Sequence, residues 1–376
     1  MAKEMARIPM VSVCIASYNH ARFLPATLES ILGQTFRDFE LIVVDDGSTD
    51  DSLEILESYA RQYPEFMRVL THPGRRNLGI SVTDNLMIKE ARGMYWCGQG
   101  SDDVSYPDRL ERQVAFLESH PAIGWVYGVA DFIDKDGAPL HEQFGSDLSA
   151  IPDLVEELIL ENRIAGAATM VRMKCMTEVG PFEPGLMYGD WEFWIRLAAR
   201  YPAAFLPGAV GGYRYHDYNT SLYPPQHDNL KRSLENFKWC LDVIISLRRE
   251  ADVAEGQLGQ PRTKALLDLS RAAYLLLLKD NESASLAAAA VFRSDPSFRD
   301  DLKQMAHCLC HFKSLRLPLM ITRELGYPPN WLVDRDFMSA LLRIGAYRIW
   351  HSFGAVSARL LMRRGQMQRA FLKSVV

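Results

Sequence analysis

Short β-branched runs alternate with amphipathic helical segments at the start of the chain, and this alternation constrains the fold more than any other feature. Residues 11–16, 40–44 and 67–70 have the length and composition of buried strands, and apolar residues at helical spacing follow each run. This order is typical of an α/β fold with a mostly parallel sheet flanked by helices. In such sheets ligands bind beyond the carboxyl ends of the strands, so functional residues are expected directly after each run.

The same patterns continue with less regularity to about residue 220. They predict strands over 94–97, 125–132 and 165–172, and helices over 79–91, 107–119 and 190–200. The polar, glycine-bearing stretch 134–147 is expected to be a loop.

Beyond Pro224 and Pro225 nearly every segment has a helical pattern. Helices over 265–278 and 283–292 are predicted to form a hairpin, because only a short polar link separates them. We therefore expect a catalytic domain over 1–222 and an all-helical region over 223–376.

Composition narrows the classes of function. The chain has 376 residues, a net charge of −5 and a pI near 6.0, so its overall charge gives no reason to expect a nucleic-acid partner. Six scattered cysteines, among which Cys308 and Cys310 are weak evidence for a metal, indicate a reducing compartment. No signal peptide and no apolar run long enough to span a bilayer is recognised, so a cytoplasmic location is expected.

The last forty residues suggest one further contact. Residues 337–376 carry no acid and interleave arginines with apolar residues at helical spacing, as in helices that lie on anionic membranes. The alternative is a terminal helix packed on the protein with an exposed basic face. Peripheral contact with the inner face of the membrane is therefore one of two expectations for this segment.

Two clusters of acids follow predicted strands. Asp45 and Asp46 precede a Gly-Ser pair, and their carboxylates suit a nucleobase N–H or a ribose hydroxyl; a helix N-cap is the alternative reading of this turn. Asp102 and Asp103 suit a hard divalent cation, Mg²⁺ or Mn²⁺, that also holds phosphates. Taken alone, this second pair is equally compatible with a solvated turn before a helix.

Two later clusters complete the set. Asp190 opens a helix rich in aromatic residues, and partial burial there raises a carboxylate pKa toward the range of a general base; Glu192 is its competitor. Trp191 and Trp194 favour core positions over sugar stacking. Arg214 and His216 are candidates to contact a diphosphate or a metal, although a lone histidine is often structural.

These motifs, in this order, resemble glycosyltransferase family 2, the inverting enzymes with a GT-A, Rossmann-like fold. The resemblance covers about the first 220 residues. It is carried by VSVCIASYN from Val11, ELIVVDDGSTD from Glu40, NLGIS from Asn77, SDD from Ser101 and GDWEFWIR from Gly189.

The resemblance implies a role for each matching residue. Nucleotide-sugar binding falls to Ala16, Ser17, Tyr18, Asn19, Asp45, Asp46, Asn77, Gly79, Asp102 and Arg214. Within this set Asp46 contacts the nucleobase and Asp102 contacts the ribose. The metal ligands are Asp103 and His216, and the catalytic base is Asp190. The implied cofactor is a divalent cation, Mn²⁺ or Mg²⁺, and the implied partners are a nucleoside-diphosphate sugar and a glycan or glycolipid acceptor.

The chain departs from the family pattern at two positions. Gly100 replaces the first acid of the usual Asp-x-Asp-Asp motif, and Asp84 replaces an arginine that usually lies near the nucleotide, with Arg75 or Arg76 as substitutes. A uridine donor is the family's usual choice, and these changes leave thymidine and guanosine open.

They also motivate a rival function, a non-catalytic nucleotide-sugar-binding protein of the same fold. A nucleotidyltransferase, the second rival, normally has a Gly-rich basic loop after the first strand, and none is present there. The function expected from the sequence is transfer of a sugar in surface polysaccharide or glycolipid synthesis.

Overall fold

The computed structural model describes residues 8–160, 162–216, 219, 230–278 and 280–295. The chain divides into two compact units between Asn229 and Leu230. Residues 220–229, which flank the predicted boundary at 222, lie outside the described residues. The assignment of a catalytic domain to 1–222 and a helical region to 223–376 therefore stays a prediction.

The described part of the first unit contains nine strands and seven α-helices. The strands are β1 (Val11–Ser17), β2 (Phe39–Asp45), β3 (Met67–Thr71), β4 (Tyr95–Gly100), β5 (Val104–Ser105), β6 (Trp125–Ile133), β7 (Pro139–Phe144), β8 (Met170–Arg172) and β9 (Ala203–Arg214). The helices are α1 (Leu24–Leu32), α2 (Ser52–Gln62), α3 (Ile80–Glu90), α4 (Arg109–Ser119), α5 (Leu154–Leu160), α6 (Met173–Val179) and α7 (Gly189–Ala198). Two short 3-10 turns lie at Pro73–Arg75 and Gly166–Ala168.

The strands form one sheet in the order β3-β2-β1-β4-β8-β6-β9-β5, with β7 paired to β6 outside this path. The four strands from β3 to β4 are parallel, whereas β8 runs antiparallel to both β4 and β6. The α/β class is confirmed, and the sheet is parallel in its first half and mixed beyond it. All seven residues of β2 are buried, which explains the apolar run at 41–44.

Alternate residues of the parallel strands face different helices. Val13 and Ile15 of β1 belong to the apolar core that includes residues of α1, α2 and α4. Helix α3 packs against β1 and β2. Because side chains alternate along a strand, Cys14 points to the face opposite Val13 and Ile15.

A buried acid, Glu40, lies near the start of β2 on that opposite face. Glu40 is 3 % exposed; it accepts hydrogen bonds from Ser12 Oγ at 2.7 Å and from Arg92 Nη2 at 2.7 Å, and Arg68 Nη2 lies 3.3 Å away. Burial raises the pKa of Glu40, but the bonds from Arg92 and Ser12 outweigh burial and hold that pKa below its ordinary value.

The structure corrects two sequence predictions about the middle of the chain. Residues 139–144, inside the expected loop, form the strand β7, which pairs antiparallel with β6. Five of its six residues are exposed, so it has no alternation of apolar and polar residues for a sequence pattern to detect. The strand predicted over 165–172 is shorter, because Gly166–Ala168 is a 3-10 turn and only Met170–Arg172 pairs with the sheet.

The described residues of the second unit are helical, as predicted. They form α8 (Leu230–Val253), α9 (Pro261–Leu277) and α10 (Asn281–Ser294). Asp280 caps α10 by accepting a hydrogen bond from the Ser283 amide at 3.1 Å, which explains the tight link in the predicted hairpin.

Within the ranges that the structure describes, no helix combines the length and the apolar composition needed to cross a membrane. The predicted basic segment 337–376 lies outside the described residues.

Candidate active site

The carboxyl ends of three neighbouring strands bring the first two predicted clusters side by side. In the parallel register Ser17 of β1 lies opposite Asp45 of β2, and Ala16 lies opposite Gly100 of β4. The turn after β1 is tied to the turn after β2, because Asn19 Oδ1 accepts a hydrogen bond from the Thr49 amide at 2.8 Å. Sequence segments about thirty and eighty residues apart therefore share one edge of the sheet, as the α/β pattern predicted.

A carboxylate and two imidazoles meet at this edge. Asp102 Oδ2 lies 3.0 Å from His216 Nε2, and the ligand atoms of His20, Asp102 and His216 all lie within 4.8 Å of one another. Ser101 Oγ lies 2.8 Å from Nδ1 of His20 and so fixes the orientation of that ring. Burial lowers the pKa of His20, which favours the neutral ring that ligates metals. The sequence predicted His216 here and missed His20, which only its place directly after Asn19 could have suggested.

Asp103, the predicted metal ligand, makes contacts different from those of Asp102. Its side chain is 5 % exposed, and its Oδ1 accepts a hydrogen bond from the Arg214 amide at 2.8 Å. Burial and the neighbouring Asp102 raise the pKa of Asp103 well above its ordinary value. Asp102, which was predicted to contact the ribose, lies beside the histidines, whereas Asp103 is buried. The roles predicted for both acids stay predictions.

Arg214 was predicted to contact the nucleotide sugar. In the structure its side chain forms hydrogen bonds with backbone carbonyl oxygens of the protein. It is 4 % exposed and donates from Nε to the Asp102 carbonyl oxygen at 2.6 Å. Its Nη1 lies 3.3 Å from the carbonyl oxygens of both Asp134 and Lys135. Arg214 thus joins the turn after β4 to the turn between β6 and β7, and its predicted contact with the diphosphate stays a prediction.

Asp46, which was predicted to contact the nucleobase, anchors a neighbouring loop. Its two carboxylate oxygens accept hydrogen bonds from the amides of Leu78 at 2.7 Å and Gly79 at 3.0 Å, and His72 Nε2 lies 3.4 Å away. Asp46 is 4 % exposed, and its predicted contact with a nucleobase stays a prediction. Its bonds to Leu78 and Gly79 hold the loop that contains Asn77 and Gly79, two further residues predicted to bind the nucleotide sugar.

Asp45 and Ser17 remain in the site with unmet hydrogen-bonding capacity. Asp45 is fully buried; its Oδ1 accepts a bond from the Ser48 amide at 3.1 Å, while its Oδ2 has no partner among the described residues. The Ser17 hydroxyl is likewise buried and unpaired within the described ranges. Tyr18, which follows Ser17, is 45 % exposed.

The turn after β2 requires glycine at position 47. Gly47 has φ +80°, and a Cβ there would lie 2.7 Å from the Asn77 amide nitrogen.

Asp190 lies in the first turn of helix α7. Its Oδ1 accepts a hydrogen bond from the Trp191 amide at 2.7 Å, and burial raises its pKa. Its Oδ2 lies 3.5 Å from the position that a Cβ on Gly166 would take. The competitor Glu192 is 3 % exposed and forms a salt bridge at 2.8 Å with Arg196, so it faces the interior.

The aromatic residues of α7 are core residues, as expected. Trp194 is 1 % exposed and stacks on Trp125 with ring centroids 5.8 Å apart, and Trp191 donates from Nε1 to the Leu158 carbonyl oxygen.

The loop anchored by Asp46 leads into α3, and α3 contacts the segment just before α7. Ser81, directly after this loop in α3, donates to the Leu186 carbonyl oxygen at 3.4 Å, and Leu186 lies just before α7. The segment 78–81 therefore contacts both Asp46 and the residues just before α7. Arg75 and Arg76, the suggested replacements for the family's arginine, are exposed in the segment before this loop.

Comparisons with known proteins bear on the family and the fold of the chain. Residues 12–182 match the model of the family described as glycosyl transferase family 2. An uncharacterised glycosyltransferase of Methanocaldococcus jannaschii is 30 % identical over 201 residues, which cover 53 % of this chain and 68 % of the relative. EpsE of Bacillus subtilis is 42 % identical over 112 residues, which cover 30 % of this chain. The match spans only 40 % of the length of EpsE.

Two solved structures share the fold. Staphylococcus aureus TarS 1–349 in complex with UDP-GlcNAc aligns with a TM-score of 0.51 at 18 % identity, covering 90 % of this chain and 91 % of TarS 1–349. The mannosyltransferase PcManGT of Pyrobaculum calidifontis, in complex with GDP-Man and Mn²⁺, aligns at 0.50 and 16 % identity, covering 90 % of this chain and 87 % of PcManGT. At these identities the likeness shows the fold alone, and it confirms the predicted GT-A fold.

Proposed function

Because the chain belongs to glycosyltransferase family 2, we propose that it transfers a sugar from a nucleoside-diphosphate donor to an acceptor hydroxyl with inversion at the anomeric carbon. One observation carries the proposal: His20, Asp102 and His216 direct three ligand atoms to one point at the carboxyl ends of the strands. In α/β sheets this edge is where phosphorylated ligands bind.

The cluster fits a divalent cation. Two imidazole nitrogens and one carboxylate oxygen make a mixed donor set, which favours Mn²⁺ over Mg²⁺, because Mg²⁺ prefers oxygen ligands throughout. The Mn²⁺ in the PcManGT complex supports this choice. His20, Asp102 and His216 would hold the ion, and Ser101 would orient His20 from behind. A bound cation supplies Lewis-acid stabilisation of the departing diphosphate.

The donor nucleotide is proposed to lie against the ends of β1 and β2. Tyr18 offers an exposed aromatic ring there, and the buried, unpaired oxygens of Ser17 and Asp45 offer hydrogen bonds. Ala16, Asn19, Asn77 and Gly79 complete the proposed lining. UDP is the proposed carrier, since it is the family's usual choice and since TarS binds UDP-GlcNAc on the same fold.

Asp190 is proposed as the base. Its Oδ1 is held by the Trp191 amide, and its Oδ2 forms no hydrogen bond with any described residue. In the proposed step the acceptor O–H bond breaks and the proton passes to Asp190. The acceptor oxygen forms a bond to the anomeric carbon as the bond to the diphosphate oxygen breaks on the opposite face. Burial that raises the pKa of Asp190 makes it a stronger base for this step.

The acceptor is proposed from the family alone as a glycan or glycolipid of surface polysaccharide synthesis, on the cytoplasmic side of the membrane. Peripheral membrane contact through 337–376 belongs to the same proposal and rests only on the sequence pattern.

The test compares Asp190→Asn with the wild-type chain. With Mn²⁺ and a panel of nucleotide sugars and acceptors, we expect release of nucleoside diphosphate to fall by about 10²- to 10⁴-fold in the variant. Binding of UDP, measured by calorimetry, should be unchanged. Glu183→Gln, which removes an exposed carboxylate from the same segment, is the matched control and should keep full activity. Metal-enhanced donor binding by the wild type without any turnover would favour the rival, a non-catalytic binding protein.

A further inference from the structure

One phenyl ring contacts both imidazoles of the His20–Asp102–His216 cluster, and the function proposed above gives that ring no role. Phe23 stacks on His216, with ring centroids 4.5 Å apart and ring planes at 24°. The same phenyl ring meets His20 edge to face, with centroids 5.9 Å apart and planes at 79°. Phe23 is buried, so both contacts form away from bulk water. Its ring therefore borders two of the three candidate ligands.

Backbone hydrogen bonds fix Phe23 relative to His20. The His20 carbonyl oxygen accepts hydrogen bonds from the amides of Phe23 at 2.9 Å and Leu24 at 3.1 Å. The chain then enters α1, where Thr27 Oγ1 donates to the Asp103 carbonyl oxygen at 2.7 Å. One turn of the chain thus carries both His20 and Phe23, and α1 joins it to the turn after β4, which supplies the carboxylate of the cluster.

A buried cation holds the phenyl ring from β9. The guanidinium carbon of Arg214 lies 5.4 Å from the centroid of the Phe23 ring, a distance typical of a cation–π contact. The same guanidinium donates to the Asp102 carbonyl oxygen at 2.6 Å. Arg214 therefore links the phenyl ring to the backbone of the residue whose carboxylate belongs to the cluster.

The orientation of each imidazole decides whether its nitrogen can reach a common point. The lone pair of a ligating imidazole nitrogen lies in the plane of the ring, so rotation of the ring redirects it. Nε2 of His216 lies 3.0 Å from Asp102 Oδ2, and rotation of the His216 ring would separate these atoms. Stacking on Phe23 restricts that rotation. The planes of the two imidazoles lie at 89°, with centroids 5.7 Å apart, so the rings approach the cluster from different directions.

We propose that Phe23 is a positioning residue that acts through His216 and His20 and holds their nitrogens in the arrangement in which a divalent cation binds. This inference rests on the cation site of the proposed function. The face of a phenyl ring attracts positive charge, so Phe23 also stabilises a His216 ring that a bound cation has polarised. Removal of the phenyl ring leaves all three ligand atoms in the chain and takes away their fixed orientation.

The experiment is a titration of the full chain with Mn²⁺ alone, followed by electron paramagnetic resonance. We expect Phe23→Leu to weaken Mn²⁺ binding about tenfold, the scale on which groups behind metal ligands act. Phe23→Tyr keeps an aromatic ring and should restore the wild-type affinity. Phe116→Leu is the matched control, because Phe116 stacks on the exposed His120 with centroids 4.3 Å apart and this second phenyl–imidazole pair is not part of the cluster. That control should also keep the wild-type affinity.

Urea unfolding of the same variants separates positioning from packing. A Phe23→Leu chain that loses stability but binds Mn²⁺ with the wild-type affinity would overturn the proposal. If Phe23→Leu does not fold, Phe23→Met, which fills the space with a flexible apolar side chain, takes its place with the same expected loss of affinity. A wild-type chain that binds no Mn²⁺ would overturn the cation site and this inference together. Mn²⁺ binding that depends on Phe23 in a chain without transfer activity would support the inference and contradict the proposed reaction.

Discussion

Adding a single methyl group at Gly100 should disturb the acids after β4, although this glycine stands where the family has an acid. A Cβ at this position would lie 2.5 Å from Asp103 Oδ2 and 2.9 Å from Asp102 Oδ1. Real Cβ atoms essentially never come closer than 3.0 Å to such atoms. In Gly100→Ala the Asp103 carboxylate must therefore move by at least about 0.5 Å, the difference between 2.5 and 3.0 Å.

The cost follows from what that carboxylate holds. Asp103 Oδ1 accepts a 2.8 Å hydrogen bond from the Arg214 amide in a buried environment. A shift of this size stretches or breaks the bond, and leaving a buried amide unsatisfied costs about 1–3 kcal/mol. Since Asp102 must move as well, the cation site should lose about tenfold in affinity.

Urea unfolding and Mn²⁺ titration of the purified chain measure both effects. Gly166→Ala is the matched control for stability, because its new Cβ would meet no atom closer than 3.5 Å. We expect that control to change the free energy of unfolding by less than about 0.5 kcal/mol. Wild-type stability together with wild-type Mn²⁺ affinity in Gly100→Ala would refute the proposed crowding of Asp102 and Asp103.

Three further changes test other parts of the structure. Glu40→Gln should lower the free energy of unfolding at pH 7 by about 2 kcal/mol, because Arg92 and Arg68 lose a buried anion. The depressed pKa of Glu40 means that this difference should shrink as the pH falls below about 4.3, and a difference independent of pH would contradict the assignment. Arg109→Met should lower the free energy of unfolding, measured with urea, by about 3 kcal/mol. The reason is that the buried guanidinium donates to Gln99 Oε1, Ser105 Oγ and the Gly98 carbonyl oxygen. A loss of less than about 1 kcal/mol would count against this role. His20→Ala should weaken Mn²⁺ binding about tenfold or more, whereas the exposed His141→Ala should leave it unchanged, and equal affinities would remove His20 from the site.

The sequence was sufficient to predict which strand ends meet at the carboxyl edge of the sheet. Strand–helix alternation identified parallel strands, and the general rule about their carboxyl ends placed Ser17, Asp45 and Gly100 at one edge. The strand β7 escaped prediction because it is an exposed edge strand, and hydrophobic periodicity reports only on strands with a buried face.

The direction in which each of two adjacent acids points could not be predicted from the sequence. Neighbouring residues in a turn point in different directions, and only the packed structure shows that Asp102 faces the histidines while Asp103 faces the Arg214 amide. Asp46 presents the same difficulty, because a carboxylate that anchors a loop through two amides and one that reads a base have the same sequence signature. His20 escaped prediction as a candidate ligand because the cluster joins residues about eighty and two hundred positions apart, with no local pattern.

The most direct test of the proposed cation site is Mn²⁺ affinity, measured by electron paramagnetic resonance in the presence of UDP, for Asp102→Asn and Asp103→Asn. The first variant loses a ligand atom and should bind Mn²⁺ at least tenfold more weakly than the wild type. The second replaces a buried carboxyl whose pKa is raised, keeps an oxygen for the Arg214 amide, and should bind Mn²⁺ as the wild type does. The reverse result, with affinity lost in Asp103→Asn and kept in Asp102→Asn, would contradict the site.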